Sequence, residues 1–391
     1  MQSKILTAFC LCFLSISSAM AADISFNGFA TVAMGYDIED ENEDTTTPAS
    51  PYSERTVDNL QESKVALQWT AQIEKGIRFV GQTMARGDAS TGFTMQYDWA
   101  YFDFNVGDSG KFKAGRLRIP FYKYSDYLDV GYAYHWITPP ESMYSLSFSN
   151  IDGLGYQVNF EGMGMEHSLN TVLGAYQGDL PLGGVPTASK LENFFAINWS
   201  ASLGDHEFYA AYAQADVYIP AAAAVDLAAA AAALGGDSGD VLVDGDYGHF
   251  FGLGYKGTFG DVGVFVEYSQ VGIEDSVLAD SSGGYIGGSY TMNDYTYHLT
   301  FESSESEEKT YTNGDNDLGD GTSLNSLVSS ALGNGGSNTI TIGARKDIGS
   351  STAVKLDLSM YTEDRIQTAA LTASKEERKA TTLKFAIETM F

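Results

Sequence analysis

The sequence predicts an all-β protein, a sixteen-stranded antiparallel transmembrane β-barrel, and three observations lead to this fold class. Segments of about ten residues alternate apolar and polar side chains, as barrel strands do when lipid covers one face and water the other. The connections between these segments are alternately long and short. After residue 21 no stretch approaches the roughly 18 consecutive apolar residues of a membrane-spanning helix.

The N-terminus has the three parts of a secretory signal peptide. A basic start at Lys4 precedes an apolar run over 5–14 and the small-residue sequence Ala-Met-Ala over 19–21. A membrane anchor is the weaker interpretation, because the apolar run is about half of the roughly 20 residues that a spanning helix needs. We predict a signal peptide at 1–21 and a single barrel domain at 22–391.

The composition excludes several classes of protein. With 51 Asp and Glu against 22 Lys and Arg, the net charge is −29, which argues against a nucleic-acid partner because phosphate binding needs surplus basic residues. Contents of 44% hydrophobic and 13% aromatic residues are too high for a disordered acidic chain. Both cysteines, Cys10 and Cys12, lie in the predicted signal peptide, so the exported chain has no disulfide. No motif indicates a cofactor.

The strands follow from period-two alternation, beginning with the segment 24–38. Its even positions, such as Ile24 and Phe26, are mostly apolar, whereas the odd ones include Ser25 and Asn27. The twelfth strand is the least certain because it contains two adjacent glycines, Gly287 and Gly288. The predicted strands are 24–38, 61–74, 77–87, 95–107, 111–119, 153–162, 166–177, 191–203, 206–218, 247–259, 262–273, 283–292, 294–305, 338–346, 352–363 and 379–391.

The connections support a closed barrel in the outer membrane. Those after even-numbered strands are short turns, for example Lys75-Gly76, whereas those after odd-numbered strands are long. This asymmetry is typical of barrels with long external loops and short periplasmic turns. A secreted β-sandwich, in which the aromatic residues would form an ordinary core, remains an alternative. The long connections are 39–60, 88–94, 120–152, 178–190, 219–246, 274–282, 306–337 and 364–378.

Two parts of the sequence resemble the Gram-negative general porin family. One is the C-terminal strand over 381–391, which ends in Phe391, and the other is the block from Ala100-Tyr101-Phe102 through Gly115-Arg116. The resemblance implies an outer-membrane barrel, usually a homotrimer, whose third loop folds into the lumen and narrows the pore. It also implies that the terminal phenylalanine is a signal for the assembly machinery.

The third loop departs from the family pattern. It spans 121–141 and lacks the Pro-Glu-Phe-Gly-Gly turn of the enterobacterial members. Its identification as the constriction therefore depends on its order in the chain and on its many aromatic residues. Those rings, between Phe121 and Trp136, leave open a second function, a channel selective for a sugar or another small nutrient.

Strand parity supplies candidate residues for the pore. If Leu117 and Ile119 face lipid, their neighbours on the fifth strand face the lumen, and the same reasoning applies to the second and third strands. The predicted basic wall is Lys64, Arg78, Arg86, Arg116 and Arg118, and the predicted acidic side of the constriction, on the third loop, is Asp126, Asp129 and Glu141. Lumen ion pairs without influence on transport and a solvated loop face are the corresponding alternatives.

The charge distribution and the missing motifs complete the functional prediction. Acidic residues concentrate in the long connections, so an acidic mouth would attract cations and give a weak cation preference. There is no Gly-x-Ser-x-Gly motif and no histidine spacing typical of a metal site, so we predict neither an enzyme nor a metal centre. The leading hypothesis is a water-filled channel for passive diffusion of ions and small hydrophilic solutes, in contact with outer-membrane lipid and lipopolysaccharide. A barrel acting as an adhesin or surface receptor is a less favoured alternative.

Two further segments carry weaker predictions. The alanine-rich tract 221–233 favours a short external helix, because alanine has the highest helix propensity. The sequence Asp315-Asn316-Asp317 superficially resembles the start of a Ca²⁺ loop, but Ser326 stands where such a loop needs a bidentate glutamate. We therefore predict no specific Ca²⁺ site there.

Overall fold

The fold is described from a computed structural model of the chain. It covers residues 23–40, 52, 57–59, 61–87, 92–144, 146, 148–182, 185–220, 242–276, 278–307, 335–369 and 372–391. The predicted signal peptide, the alanine-rich tract and the segment around Asp315 lie outside these residues and stay predictions.

The described part of the chain contains sixteen strands. The first eight are β1 (Asp23–Asp40), β2 (Lys64–Glu74), β3 (Ile77–Arg86), β4 (Met95–Val106), β5 (Gly110–Arg118), β6 (Asn150–Gly162), β7 (Met165–Leu182) and β8 (Val185–Leu203). The others are β9 (His206–Ile219), β10 (Val243–Phe259), β11 (Val262–Ile273), β12 (Asp280–Met292), β13 (Tyr295–Glu307), β14 (Gly335–Ile348), β15 (Thr352–Ala369) and β16 (Thr372–Met390).

The strands form one closed antiparallel barrel, in which each strand pairs with its sequence neighbours and β1 pairs with β16. The predicted sixteen-stranded barrel is confirmed, including β12, which pairs with both β11 and β13. The boundaries differ most at β15 and β16, which run through most of the long connection predicted at 364–378, and β7 and β8 likewise run through most of the one predicted at 178–190.

The two faces of the wall differ as the alternation predicts. On β13 and β14 the side chains of Leu299, Phe301 and Ile342 are 54, 46 and 50% exposed, whereas Thr300 and Thr341 between them are buried. Since the barrel is closed, the buried positions form its inner face and the exposed apolar positions its outer face. An apolar outer face suits contact with hydrocarbon.

Short turns join the even strands to the odd strands that follow. Gly76 (φ +86°) and Gly260 (φ +64°) occupy two of them in left-handed backbone conformations that side chains other than glycine rarely adopt. Among the described residues, no helix is long and apolar enough to cross a membrane.

The third connection, residues 119–149, lies between β5 and β6 and contains two 3₁₀ turns, Ser125–Tyr127 and Gly131–Ala133. Its aromatic rings belong to an apolar cluster with side chains of β8–β12. Phe121 lies 4.9 Å from Phe250, and Trp136 lies 4.9 Å from Phe265, both measured between ring centroids. The barrel therefore encloses an apolar core on the β8–β12 side, where the sequence had predicted a polar wall.

Candidate functional site

Charged side chains of the wall strands hold the third connection through hydrogen bonds. Three wall carboxylates accept hydrogen bonds from its backbone, an arrangement that satisfies amides which no strand pairs. The donors and acceptors are Lys123 N to Glu267 Oε1 (2.9 Å), Ile137 N to Asp357 Oδ2 (2.8 Å) and Ser142 N to Glu302 Oε2 (3.1 Å).

Lys355 on β15 holds the same segment through its carbonyl groups. Its ammonium group donates to Gly131 O at 2.7 Å and to Trp136 O at 2.5 Å, and it pairs with Glu388 at 2.5 Å. The side chains of Lys355 and Glu388 are 0 and 1% exposed, so this ion pair is fully enclosed. Arg345 on β14 adds two hydrogen bonds of 2.7 Å, to the carbonyl oxygens of Tyr132 and Tyr134.

Sequence reasoning did not identify these anchoring residues. All five occupy inward positions of predicted strands: Glu267, Glu302, Lys355 and Asp357 contact backbone groups of a distant loop, and Glu388 pairs with Lys355. Parity alone gives the direction of such a side chain and says nothing about which segment it meets. The one signal in the sequence was a charged residue at an inward strand position, and the burial that marks these residues as anchors is known only from the structure.

Asp129 is the point where the predicted basic and acidic residues meet. Its carboxylate lies 3.1 Å from Arg86, 3.2 Å from Arg118 and 3.8 Å from Lys64, and Arg86 also pairs with Asp98 at 3.2 Å. Burial acts to raise the pKa of Asp129, but the charges of Arg118, Arg86 and Lys64 outweigh it and hold the pKa well below its usual range. Four predicted site residues therefore form one charge cluster.

Two predicted basic residues lie outside this cluster. Arg78 pairs with Asp103 on the neighbouring strand β4. Arg116 pairs with Asp152 on β6 at 2.8 Å, and the two side chains are 45 and 61% exposed.

The parity predicted for β5 is wrong at two positions. Leu117 and Ile119 were expected to face lipid, yet they are 3 and 1% exposed and belong to the apolar core. Register pairs Leu117 with Ile151, which is also buried, and pairs Arg116 with Asp152, which is exposed. The prediction failed because the inner face is apolar at this place, so an apolar side chain does not identify the lipid side.

The remaining two acidic residues line separate cavities. Asp126 borders a cavity of about 260 Å³ that is also lined by Lys113, Tyr101 and Arg118. Glu141 borders another polar cavity, of about 280 Å³, beside β13–β16.

Two cavities lie next to the charge cluster. One, of about 600 Å³, is lined by the ends of β3, β5 and β7 that adjoin the long connections, together with Asp129. The other, the 260 Å³ cavity, is lined by residues nearer the short turns, such as Lys113 and Asn170. Arg118 lines both cavities, so they approach each other at this side chain.

His135 is a half-buried titratable residue of the third connection that lies beside β11 and β13. Its ring lies 5.0 Å from Phe265 and 5.8 Å from His298, and His298 contacts Asp357 at 3.1 Å. Burial and the neighbouring His298 lower the pKa of His135 to about 3. Within the described residues, no group of three His, Cys, Asp or Glu side chains is placed to hold a metal ion.

Comparison with known proteins supports the fold at the level of structure. No family model and no curated protein matches the sequence. Among solved structures, the outer membrane channel DcaP of Acinetobacter baumannii has a TM-score of 0.56 and 13% identity over 94% of this chain and 98% of that one. An anion-selective porin from Comamonas acidovorans has a TM-score of 0.56 and 11% identity over 95% of this chain and all of that one.

A third similar structure is OmpF of Salmonella typhi, in complex with daunomycin, with a TM-score of 0.54 and 12% identity over 95% of this chain and 98% of that one. Sequence identities this low carry information about the fold and not about the solute. The chain has the sixteen-stranded barrel fold of the Gram-negative porins.

Proposed function

We propose that the protein is an outer-membrane porin, a water-filled channel for passive diffusion of ions and small hydrophilic solutes. The observation that carries this proposal is the pair of polar cavities that approach each other at Arg118 inside a closed barrel. The exposed apolar side chains of the outer face support a membrane location, because they suit contact with hydrocarbon. Closure of the barrel supports it as well, because it leaves no unpaired strand edge in lipid.

We infer that the third connection lies in the lumen and forms the constriction. Its hydrogen bonds to inward side chains of β11, β13, β14 and β15 support this position. The narrowest point would then lie beside the charge cluster of Lys64, Arg86, Arg118 and Asp129, where the two cavities approach each other at Arg118 and the field of the charges selects among polar solutes.

Reconstitution of the purified protein in planar bilayers and in liposomes tests the channel. We expect stepwise ion conductance, and swelling rates that fall smoothly as the size of the hydrophilic solute increases. Uptake confined to one class of solute, with other solutes of the same size excluded, would favour the selective channel instead. A barrel that inserts but passes neither ions nor solutes would overturn the proposal and favour a receptor or adhesin.

The aromatic rings of the third connection do not support a sugar slide. Phe121, Tyr124 and Trp136 are 4, 3 and 1% exposed, so a passing solute would not meet their faces. A hydrolytic function also has little support, since the similar structures cited above are described as a channel and as porins.

The charge preference is a separate proposal. The net charge of −29 favours cations at the mouth, whereas the charge cluster contains three basic side chains against the carboxylates of Asp129 and Asp98. The fold itself does not decide the preference, because an anion-selective porin shares it. We expect a weak cation preference, and a reversal potential under a KCl gradient that favours chloride would contradict it.

We further propose a homotrimer in contact with lipid and lipopolysaccharide. One similar structure, OmpT of Vibrio cholerae, is described in a trimer form, with 12% identity and a TM-score of 0.51. The test is gel mobility in mild detergent, where the unheated sample should migrate as a trimer and the heated sample as a monomer. A monomer-sized band in the unheated sample would count against the trimer.

A further inference from the structure

A polar cavity of about 280 Å³ lies between residues 138–142 of the third connection and the inner face of β13–β16. Its wall consists mainly of hydroxyl-bearing side chains at alternate strand positions. These are Ser304, Ser337, Thr339, Thr341, Ser359, Tyr361 and Thr382. The outward residues between them include the exposed Ile340 and Ile342, so the hydroxyl groups are confined to the inner face.

The hydroxyl groups form a two-dimensional array. Cross-strand pairs lie 2.7 Å apart at Ser304 and Ser337 and 3.0 Å apart at Thr341 and Ser359. Along a strand, inward positions recur every two residues, about 6.8 Å, and neighbouring strands lie about 4.8 Å apart. Each hydroxyl has one proton and two lone pairs, so a paired hydroxyl retains capacity for a further hydrogen bond.

The charged groups at the cavity are largely engaged by the protein itself. Lys384 pairs with Glu62 at 3.1 Å, and Asp357 accepts from the backbone of Ile137 while contacting His298. Glu302 accepts from the backbone of Ser142. What the cavity offers a solute is therefore mainly neutral hydrogen-bonding groups, with the exposed carboxylate of Glu141 at its border.

We propose that this cavity is a weak binding subsite for small neutral polyhydroxylated solutes, such as a hexose. A ring that carries hydroxyl groups on successive carbons can contact several members of the array at once, whereas an ether chain of similar size offers few donors. The inference rests on the proposed channel function, since the solute must reach the lumen. It assigns recognition to hydroxyl groups of β13–β16 and not to the aromatic residues of the third connection.

The experiment uses the full-length protein in planar bilayers with D-glucose, and with triethylene glycol as a solute of similar size that has few hydroxyl groups. We expect glucose to reduce the ion current in a saturable way and triethylene glycol to reduce it only in proportion to solution viscosity. Equal, unsaturable effects of both solutes would overturn the subsite. Absence of any ion current would instead overturn the channel function.

Variants at the array locate the site. Replacing both members of one pair, Ser304→Ala with Ser337→Ala, leaves no buried hydroxyl without its partner, so the barrel should fold and conduct normally. Because two hydrogen-bonding groups are lost, we expect glucose to bind about tenfold more weakly. Ser303→Ala, at an exposed outer-face position next to Ser304, is the matched control and should bind glucose like the parent protein. Unchanged glucose binding in the double variant would contradict the assignment.

Discussion

The carboxylate of Asp129 is shared by cations from three strands of the wall. Lys64, Arg86 and Arg118 all lie within 3.8 Å of it, and its side chain is 14% exposed. A single residue of the third connection therefore sets the position of that connection against β2, β3 and β5. The sequence identified Lys64 and Arg86 through strand parity and Asp129 through loop order, whereas Arg118 was named by a parity argument that is wrong at its neighbours Leu117 and Ile119.

Asp129→Asn should weaken this attachment and change the charge preference. Removing one partner of an enclosed ion pair costs about 3 kcal/mol, because the remaining charges lose their compensation. We expect a lower midpoint of thermal unfolding in detergent and a reversal potential shifted toward chloride. Asp152→Asn is the control, since its pair with Arg116 is exposed and is worth at most about 1 kcal/mol. Equal losses in both variants would contradict the central role of Asp129.

The pH dependence of the Asp129 cluster follows from the direction of the pKa. The pKa of Asp129 in the folded protein is below its ordinary value of about 3.9, so its stabilisation is fully present above about pH 4 and is lost as the pH falls toward the lowered pKa. The difference in stability between the parent and Asp129→Asn should stay constant from pH 7 to 5 and shrink below pH 4. A difference that already declines at pH 6 would contradict this.

His135 should make the protein sensitive to mild acid. Its pKa is lowered to about 3, compared with about 6.5 in an unfolded chain, so the unfolded state binds a proton first and stability falls as the pH drops below 6.5. In His135→Phe, which keeps an aromatic ring beside Phe265, the decline between pH 6.5 and 5 should be shallower. Thermal unfolding at several pH values measures this, and parallel profiles would contradict it.

At the scale of the element, the order in the chain and the aromatic density singled out the third connection as the candidate constriction, but the sequence could not predict which residues its side chains contact. The alternative of a sugar-selective channel, which needs exposed rings, loses support because Tyr124 and Trp136 belong to a buried apolar cluster with wall residues such as Phe265, and no local sequence pattern indicates these contacts. The same contacts explain why Leu117 faces inward. Alternation of apolar and polar residues identifies the lipid-facing side of a strand only when the inner face is polar. At the end of β5 the inner face is apolar, because Leu117 and Ile119 belong to the apolar cluster.

Trp136→Ala should loosen the third connection without opening the barrel. The indole is 1% exposed and donates to Thr300 Oγ1 at 2.8 Å, and truncating a buried tryptophan costs about 3–5 kcal/mol. We expect a higher single-channel conductance and more current noise, with the heat-modifiable gel shift preserved. Trp69→Ala removes an indole from β2, and Trp69 contacts the exposed Tyr97. This control should leave conductance unchanged, and a similar rise in both variants would contradict the assignment.

β12 is a strand that the sequence pattern predicts only weakly. Gly287 and Gly288 weaken the pattern, yet the strand pairs with β11 and β13 over ten or more residues. Gly287 has a packing reason, since an added Cβ would lie 2.1 Å from the ring of Phe265. A single sequence cannot reveal this contact, because Phe265 occupies the neighbouring strand.

For the whole molecule, closure depends on the contact between the two ends of the described chain. Phe391 exchanges two backbone hydrogen bonds with Gly28, at 2.8 and 2.9 Å, and the Phe391 ring covers the glycine. Strand count, antiparallel order and closure could all be predicted from the sequence. An even number of strands joined by short turns pairs each strand with its sequence neighbours, and strands in lipid must close into a barrel so that no edge is left unpaired.

Gly28→Ala should impair closure. The added Cβ would lie 2.4 Å from the Phe391 ring and 2.8 Å from the carbonyl oxygen of Ala66, so the end of β16 would have to move. We expect a smaller fraction of folded, heat-modifiable barrel after refolding into detergent. Gly288→Ala is the control, because its Cβ would meet only the carbonyl oxygen of Gly263 at 3.5 Å. Equal yields for the two variants would contradict this account of closure.

The anchoring of the third connection also has a consequence for the order of folding. The hydrogen bonds of Lys123, Ser142 and Ile137 reach partners 144, 160 and 220 residues later in the chain. Contacts this distant in sequence are slow to form, because the long intervening chain must be ordered before they are made. The connection can therefore be seated only after β11, β13 and β15 have entered the wall. Seating of the third connection is therefore expected to be a late step, separable in time from strand pairing near the N-terminus.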